Sequence, residues 1–148
     1  IYTLSLHDAL PILVITSSVL TASALAPQEH LSVRILGGQV RGLTQAAVGP
    51  EALATLATLR VDTAVIGANG LSARHGLSTP DPEEAATKRA MVAAADRVVV
   101  LLDSSKVGQE HLVSFAPLDA IDVLVTDRPL PTSLHTAITT TGAEVLTT

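Results

Sequence analysis

The 148-residue chain contains no cysteine and no tryptophan. Lack of cysteine excludes disulfides, a thiol nucleophile and thiolate metal sites. Tyr2 and Phe115 are the only aromatics, too few to bind single-stranded nucleic acid by base stacking. No window approaches the roughly 18 uninterrupted apolar residues that a membrane-spanning helix needs. Nine basic residues stand scattered against fourteen acidic ones, for a net charge of −5. A basic face of the kind that neutralises duplex phosphates is not visible. His7, His30, His75, His111 and His135 have no metal-ligand spacing and are expected on the surface or in loops. P-loop, GxGxxG and nucleophile-elbow motifs are all missing. These absences leave no metal, no cofactor and no catalytic residue to assign.

What is there is aliphatic. The chain is 47% hydrophobic, mostly Ala, Val and Leu, with a mean hydropathy of +0.45. Such a composition suits buried parallel strands covered by Ala-rich helices. The length fits one domain or a piece of one, and cytoplasmic residence is the simple reading of a cysteine-free chain. Residues 1–12, IYTLSLHDALPI, lack an initiator Met and the basic start and cleavage site of a signal peptide. They resemble the translated read-through of a sequencing adapter. A non-native leader is therefore expected, with the native sequence starting near Leu13.

Along the rest of the chain, strand and helix patterns alternate. Strands are expected at 13–16 (LVIT), 32–36 (SVRIL), 61–66 (VDTAVI), 97–102 (RVVVLL), 123–126 (VLVT) and 144–146. The strand at 97–102 is the most hydrophobic and is expected to be central. Helices are expected at 19–26, 51–59, from the Thr79-Pro80-Asp81-Pro82-Glu83-Glu84 start to about Ala95, and weakly at 131–141. Ala86, Ala90, Val92 and Ala93 are the candidate packing residues of the third helix. Residues 39–48 are ambiguous, and 71–78 read as a loop or small hairpin. The alternation implies an α/β fold with a parallel sheet in one compact unit.

In such a sheet, ligands bind beyond the carboxyl ends of the strands. Four strand ends here carry polar or glycine-rich residues: Thr16-Ser17-Ser18, Gly37-Gly38, Gly67-Ala68-Asn69-Gly70 and Asp103-Ser104-Ser105-Lys106. Glycines let backbone N–H groups approach an anion, hydroxyls donate to it, and a Lys ammonium offsets its charge. Lys88 could supply a second cation. Each piece also has a bland reading when taken singly. GANG reads as a turn needing positive φ, Asp103 and Lys106 as a surface ion pair, Thr16–Ser18 as a helix N-cap, and Lys88 as a solvated helix residue.

The order of the pieces is far more specific. Residues 61–108 read VDTAVIGANGLSARHGLSTPDPEEAATKRAMVAAADRVVVLLDSSKVG, preceded by ILGGQVR at 35–41 and followed by LDAIDVLVTD at 118–127. A strand ending in a G-x-x-G turn leads to a G-L-[ST]-T-P-[DN] segment. A helix with E-A and K-R-[AM]-M follows, then a strand ending in D-[SH]-[ST]-K. This order closely resembles the C-terminal sensor domain of DeoR-family bacterial transcriptional repressors, from about Leu13 to the end.

The resemblance implies a Rossmann-like domain related to ribose-5-phosphate isomerase and acyl-CoA transferases. It implies a sensor of a phosphorylated sugar or related metabolite that controls a carbohydrate-utilisation operon, and a homo-oligomer. DNA contact would belong to a separate N-terminal winged helix-turn-helix. That module and the family's first sensor strand, with its D-x-G-[ST]-T turn, are expected upstream of Leu13. An open sheet position there would invite aggregation. Carried over residue by residue, the effector site comprises Thr16, Ser17, Gly37, Gly38, Gly67, Asn69, Gly70, Lys88, Asp103 and Lys106. Ser17 departs from the family's T-N, with a hydroxyl in place of a side-chain amide. Lys106 is the preferred phosphate or carboxylate partner, and Asp103 a hydroxyl acceptor or an orienter of that Lys. Loop residues such as Arg41, Arg74 and His75 would select the ligand. The alternative is a sugar-phosphate isomerase, which needs paired acids for enediol proton transfer; the loop of Asp103 offers only one.

Overall fold

The computed structural model describes residues 12–148. The leader expectation falls on 1–11, outside the described residues. Ile12, the last residue of the expected leader, is the first residue of strand β1 (Ile12–Thr16) and pairs with Leu31. Where the sequence reads as one compact unit, the contacts divide the chain into Ile1–Ala52 and Leu53–Thr148.

In the first unit, β1 pairs in parallel with β2 (Leu31–Ile35) across helix α1 (Val19–Leu25). Ser18 caps α1: its hydroxyl accepts from the Thr21 N–H at 3.1 Å, filling one of the orphan donors of a helix start. The ambiguous stretch 39–48 is a hairpin of β3 (Gln39–Arg41) and β4 (Ala46–Val48), turned by Gln45 at φ +53°. Helix α2 (Pro50–Leu56) begins with Pro and Glu51, as its dipole favours, and the division falls inside it. Leu36, Ala47, Val48 and Ala52 are buried.

The second unit contains a four-stranded parallel sheet, in the order β11 (Glu144–Thr147), β10 (Val123–Thr126), β8 (Ala95–Leu101), β5 (Val61–Ile66). The hydrophobic strand β8 is internal, as expected. Helices α3 (Pro82–Ala94) and α4 (Thr132–Thr140) pack on these strands, giving the α/β, Rossmann-like class that the sequence implies. A second sheet was not legible as such. The hairpin of β6 (Gly70–Ser72) and β7 (Gly76–Thr79) is joined antiparallel by β9 (Val113–Ala116), which the sequence did not reveal.

Asp81 caps α3 through the Glu84 N–H at 2.9 Å. Its packing face matches expectation in part. Val92 packs against the core and Ala86 and Ala90 are half-buried, but Ala93 is exposed, whereas Glu84, Ala85, Thr87 and Ala94 are buried. Thr87 tolerates burial because its hydroxyl donates to the Glu83 carbonyl at 3.0 Å. The core of the unit gathers Ile66, Leu71, Leu77, Val100, Phe115, Leu124 and Ile138 between the two sheets and their helices.

Candidate functional site

At the carboxyl ends of β5, β8, β10 and β11 lies an open cleft of about 400 Å³. Gly67 and Ala68 follow β5, Leu101 to Asp103 and Lys106 lie at the end of β8, Val125 to Asp127 close β10, and Thr148 follows β11. Three of the sequence-derived residues, Gly67, Asp103 and Lys106, therefore meet in one place.

Lys106 sits on a 3-10 turn (Ser104–Lys106) whose first N–H groups are taken by two carboxylates. Asp103 accepts from the Ser105 N–H at 2.9 Å and from the Ser105 hydroxyl. Asp127 accepts from the Ser104 N–H at 2.7 Å. These Ser105 bonds, hydroxyl first, hold the Asp103 carboxyl below its ordinary range. Among the described residues no close ion pair joins Asp103 to Lys106, although the Lys106 charge adds to the lowering of the Asp103 pKa. The turn's own N–H groups are not available to a ligand. Asp127 also supplies a second carboxylate that the loop of Asp103 lacks in sequence.

The glycines divide by physical cause. Neither Gly67 nor Gly70 has a positive φ, so the reading of GANG as a positive-φ turn fails. Gly70 is bare because a Cβ would meet the Gln109 carbonyl oxygen at 2.3 Å. Around Gly67 the nearest atom to a Cβ would be the Leu101 oxygen at 3.9 Å, so neither packing nor conformation demands glycine there. A bare backbone without structural need, facing a cleft, is where a ligand can approach closely. In the first unit the same split recurs: Gly38, at φ +139°, would collide with the Val48 oxygen at 2.6 Å, while Gly37 is open.

Lys88 does not line the cleft. Its ammonium donates to the Gly67 carbonyl at 2.8 Å and lies 5.4 Å from the centre of the Phe115 ring. Burial lowers its pKa, with Glu84 opposing. It is therefore neither solvated nor in the cleft but a brace beneath the turn. Asn69 is braced too: its N–H donates to the Ser78 carbonyl at 3.0 Å, and its own carbonyl bonds the His111 ring at 3.1 Å. Thr16, Ser17, Gly37 and Gly38 lie together at the carboxyl ends of the β1–β2 pair, where the Leu36 N–H reaches the Thr16 carbonyl at 2.9 Å. The Thr16 hydroxyl accepts from the Ser18 N–H at 3.0 Å.

Arg74 and His75 line a separate cleft of about 340 Å³ beside the segments that enter β10 and β11. His75 and His111 lie in loops, one of the two placements expected, and are half-buried, with ring nitrogens bonded to the backbone carbonyls of His111 (2.7 Å) and Asn69. Among the described residues no cluster of three metal-ligating side chains occurs. Arg74 grips Glu110 through Nε and Nη2, both at 2.8 Å, and Ser72 donates to the same carboxylate at 2.9 Å. Arg74 first, then Ser72, pull the Glu110 carboxyl from 4.5 to about 2. A carboxyl depressed in the fold stabilises it above the unfolded value and loses that contribution as pH falls towards 2. Acid unfolding should therefore steepen between about pH 4.5 and 2, and Glu110→Gln should remove that part of the slope. Equal slopes for the two proteins would mean the grip contributes nothing.

Thr126 was missed by sequence reasoning. It is 2% exposed, lines the Lys106 cleft, and its hydroxyl has no hydrogen-bond partner among the described residues. A buried hydroxyl left unpaired costs about 1–3 kcal/mol. In sequence it reads only as the last residue of a β-branched strand.

Residues 3–128 match the family described as the DeoR C-terminal sensor domain, a match that starts inside the segment read as a leader. The chain is 36% identical over 135 residues to the HTH-type transcriptional regulator GlpR of Haloferax volcanii, covering 91% of this chain and 52% of that protein. It is 32% identical over 141 residues to the HTH-type transcriptional repressor GlcR of Bacillus subtilis, covering 95% and 54%. With the glycerol-3-phosphate regulon repressor of Escherichia coli K12 the identity is 26% over 126 residues, covering 85% and 50%. The chain thus spans about half the length of these relatives. All three are named as regulators, none as an enzyme. From the ordered motifs, the parallel sheet and the matched profile together, the chain belongs to the DeoR C-terminal sensor domain family.

Proposed function

We propose that this chain is the ligand-sensing part of a DNA-binding transcriptional repressor and that its ligand is a phosphorylated sugar or related metabolite. Occupancy of the sensor controls a carbohydrate-utilisation operon in the cytoplasm. DNA contact belongs to a separate helix-turn-helix, and the regulator works as a homo-oligomer. The carrying observation is the convergence of bare Gly67, Asp103 and unpaired Lys106 on one cleft at the strand carboxyl ends. The printed names of the relatives, a glycerol-3-phosphate regulon repressor among them, support the class of ligand.

The reading gives each residue a role. Lys106 takes the ligand's phosphate or carboxylate in a charge-assisted bond. Asp103, held ionised by Ser105, accepts from a ligand hydroxyl. Gly67 admits the ligand to the backbone, with the Asn69 amide at the turn. Gly70 and Lys88 act indirectly by shaping the loop that carries Gly67. The isomerase alternative gains a second carboxylate in Asp127. Both acids, however, are bonded to the turn of Lys106, and lowering the Asp103 pKa weakens it as a proton acceptor.

Calorimetric titration with ribose 5-phosphate, glycerol 3-phosphate and fructose phosphates tests the reading. Saturable binding of at least one is expected. Silence towards all of them would favour a plain oligomerisation module, and measurable isomerisation of ribose 5-phosphate would replace sensing by catalysis.

A further inference from the structure

Two buried hydroxyls lack partners among the described residues, those of Thr79 and Thr126. Thr79 lines neither cleft, whereas Thr126 lines the one that holds Lys106. The main chain around Thr126 is already committed: its carbonyl accepts from the Thr148 N–H at 3.0 Å, and the Val125 carbonyl from the Leu102 N–H at 3.1 Å. The rest of β10 is Val123, Leu124 and Val125. At a position 2% exposed, valine would fill the same space without stranding a hydroxyl. Packing therefore gives no reason for threonine, and its side-chain O–H is left without a partner among the described residues.

From this we infer that Thr126 is a specificity-determining residue of the sensor, hydrogen bonding to a hydroxyl on the carbon skeleton of the ligand. The inference rests on the sensor reading above and adds a contact to it. The charges around Thr126 select a sugar hydroxyl over the phosphate. Asp103 and Asp127 flank the cleft, and among the described residues Lys106 is the one cation lining it. An anion is best placed at that Lys, which offsets its charge. The neutral, hydroxylated end of the ligand then falls to the Thr126 side, where Asp127 has one oxygen bonded to the Ser104 N–H. A hydroxyl that both donates and accepts suits such an end.

Thr126→Val removes the O–H and keeps the shape. The full chain and this variant are titrated calorimetrically with ribose 5-phosphate, glycerol 3-phosphate and fructose 1-phosphate, and with inorganic phosphate as the probe without a carbon skeleton. For the organic phosphate that binds best, affinity should fall about tenfold, while inorganic phosphate binds both proteins alike. The thermal midpoint should stay or rise, because an orphaned hydroxyl has been removed. Thr126→Ser should restore most of the affinity. Unchanged affinity for every organic phosphate in Thr126→Val would overturn the inference alone and leave the sensor reading standing. A midpoint lowered by several degrees would give the hydroxyl a structural role instead, and would also overturn it. Absence of binding to the wild-type chain by any probe would remove the sensor reading and this inference together.

Discussion

Phe115→Ala is expected to destabilise the protein by about 3–5 kcal/mol, the range for deleting a buried aromatic ring. Phe115 is 2% exposed within β9 and packs in the cluster that joins both sheets of the second unit. Its ring also carries Lys88 at 5.4 Å, a contact worth about 0.5–2 kcal/mol depending on desolvation. Domains of this size hold only about 5–15 kcal/mol of net stability, so a large part of the fold depends on this one side chain. Denaturation by urea measures the loss. Phe115→Leu separates the two causes, since it keeps most of the volume and removes the ring. It should cost about 1–2 kcal/mol. A loss below 1 kcal/mol for the alanine variant would contradict the central place of β9 in the core.

Gly76→Ala should cost about 2–5 kcal/mol by two additive routes. At φ +67° any L residue pays about 1–2 kcal/mol for the left-handed conformation. The added Cβ would also stand 2.2 Å from the Ala116 oxygen and 3.1 Å from the Pro117 Cα, so backbone must move. Forced repacking of that kind costs about 1–3 kcal/mol. The displaced element would be β9 itself, which pairs Ala116 with Leu77 beside a bulge. Gly108→Ala is the control: its φ is +83° but nothing lies within 4 Å of a Cβ. It should show the conformational part alone. Equal losses for the two variants would mean the close approach at Gly76 relaxes freely.

These two sites also mark where sequence stops informing. Strands Val61–Ile66 and Val123–Thr126 were legible to the residue because β-branched runs there end abruptly in glycine or aspartate. The start of α3 was legible because Asp81, Pro82 and two Glu obey the local rules of a helix N-terminus. β9 was not, because VSFA has no alternation and is made a strand only by pairing with β7, more than thirty residues away. The packing face of α3 was legible only in part: Val92 packs on the core as its apolarity suggests, but Ala93 is exposed while the polar Glu84 and the self-satisfied Thr87 are buried.

The candidate site divides in the same way. Gly67, Asp103 and Lys106 could be found because each follows a strand, and strand ends in a parallel sheet converge. Which glycines serve the backbone and which leave room was invisible without coordinates. So was the bond from Ser104 to Asp127, which spans 23 residues, and the missing partner of Thr126. Lys88 was assigned to the ligand by motif position, yet its ammonium is engaged by the Gly67 carbonyl.

The sensor reading places the ligand's negative charge on Lys106, whose ammonium has no ion-pair partner among the described residues. Calorimetric titration of Lys106→Ala against the wild-type chain, with the organic phosphate that binds best, addresses this most directly. Loss of a charge-assisted hydrogen bond predicts binding weaker by about 1.5–3 kcal/mol with the fold intact. Unchanged affinity in a folded Lys106→Ala protein would contradict it and move the anion site away from this cleft.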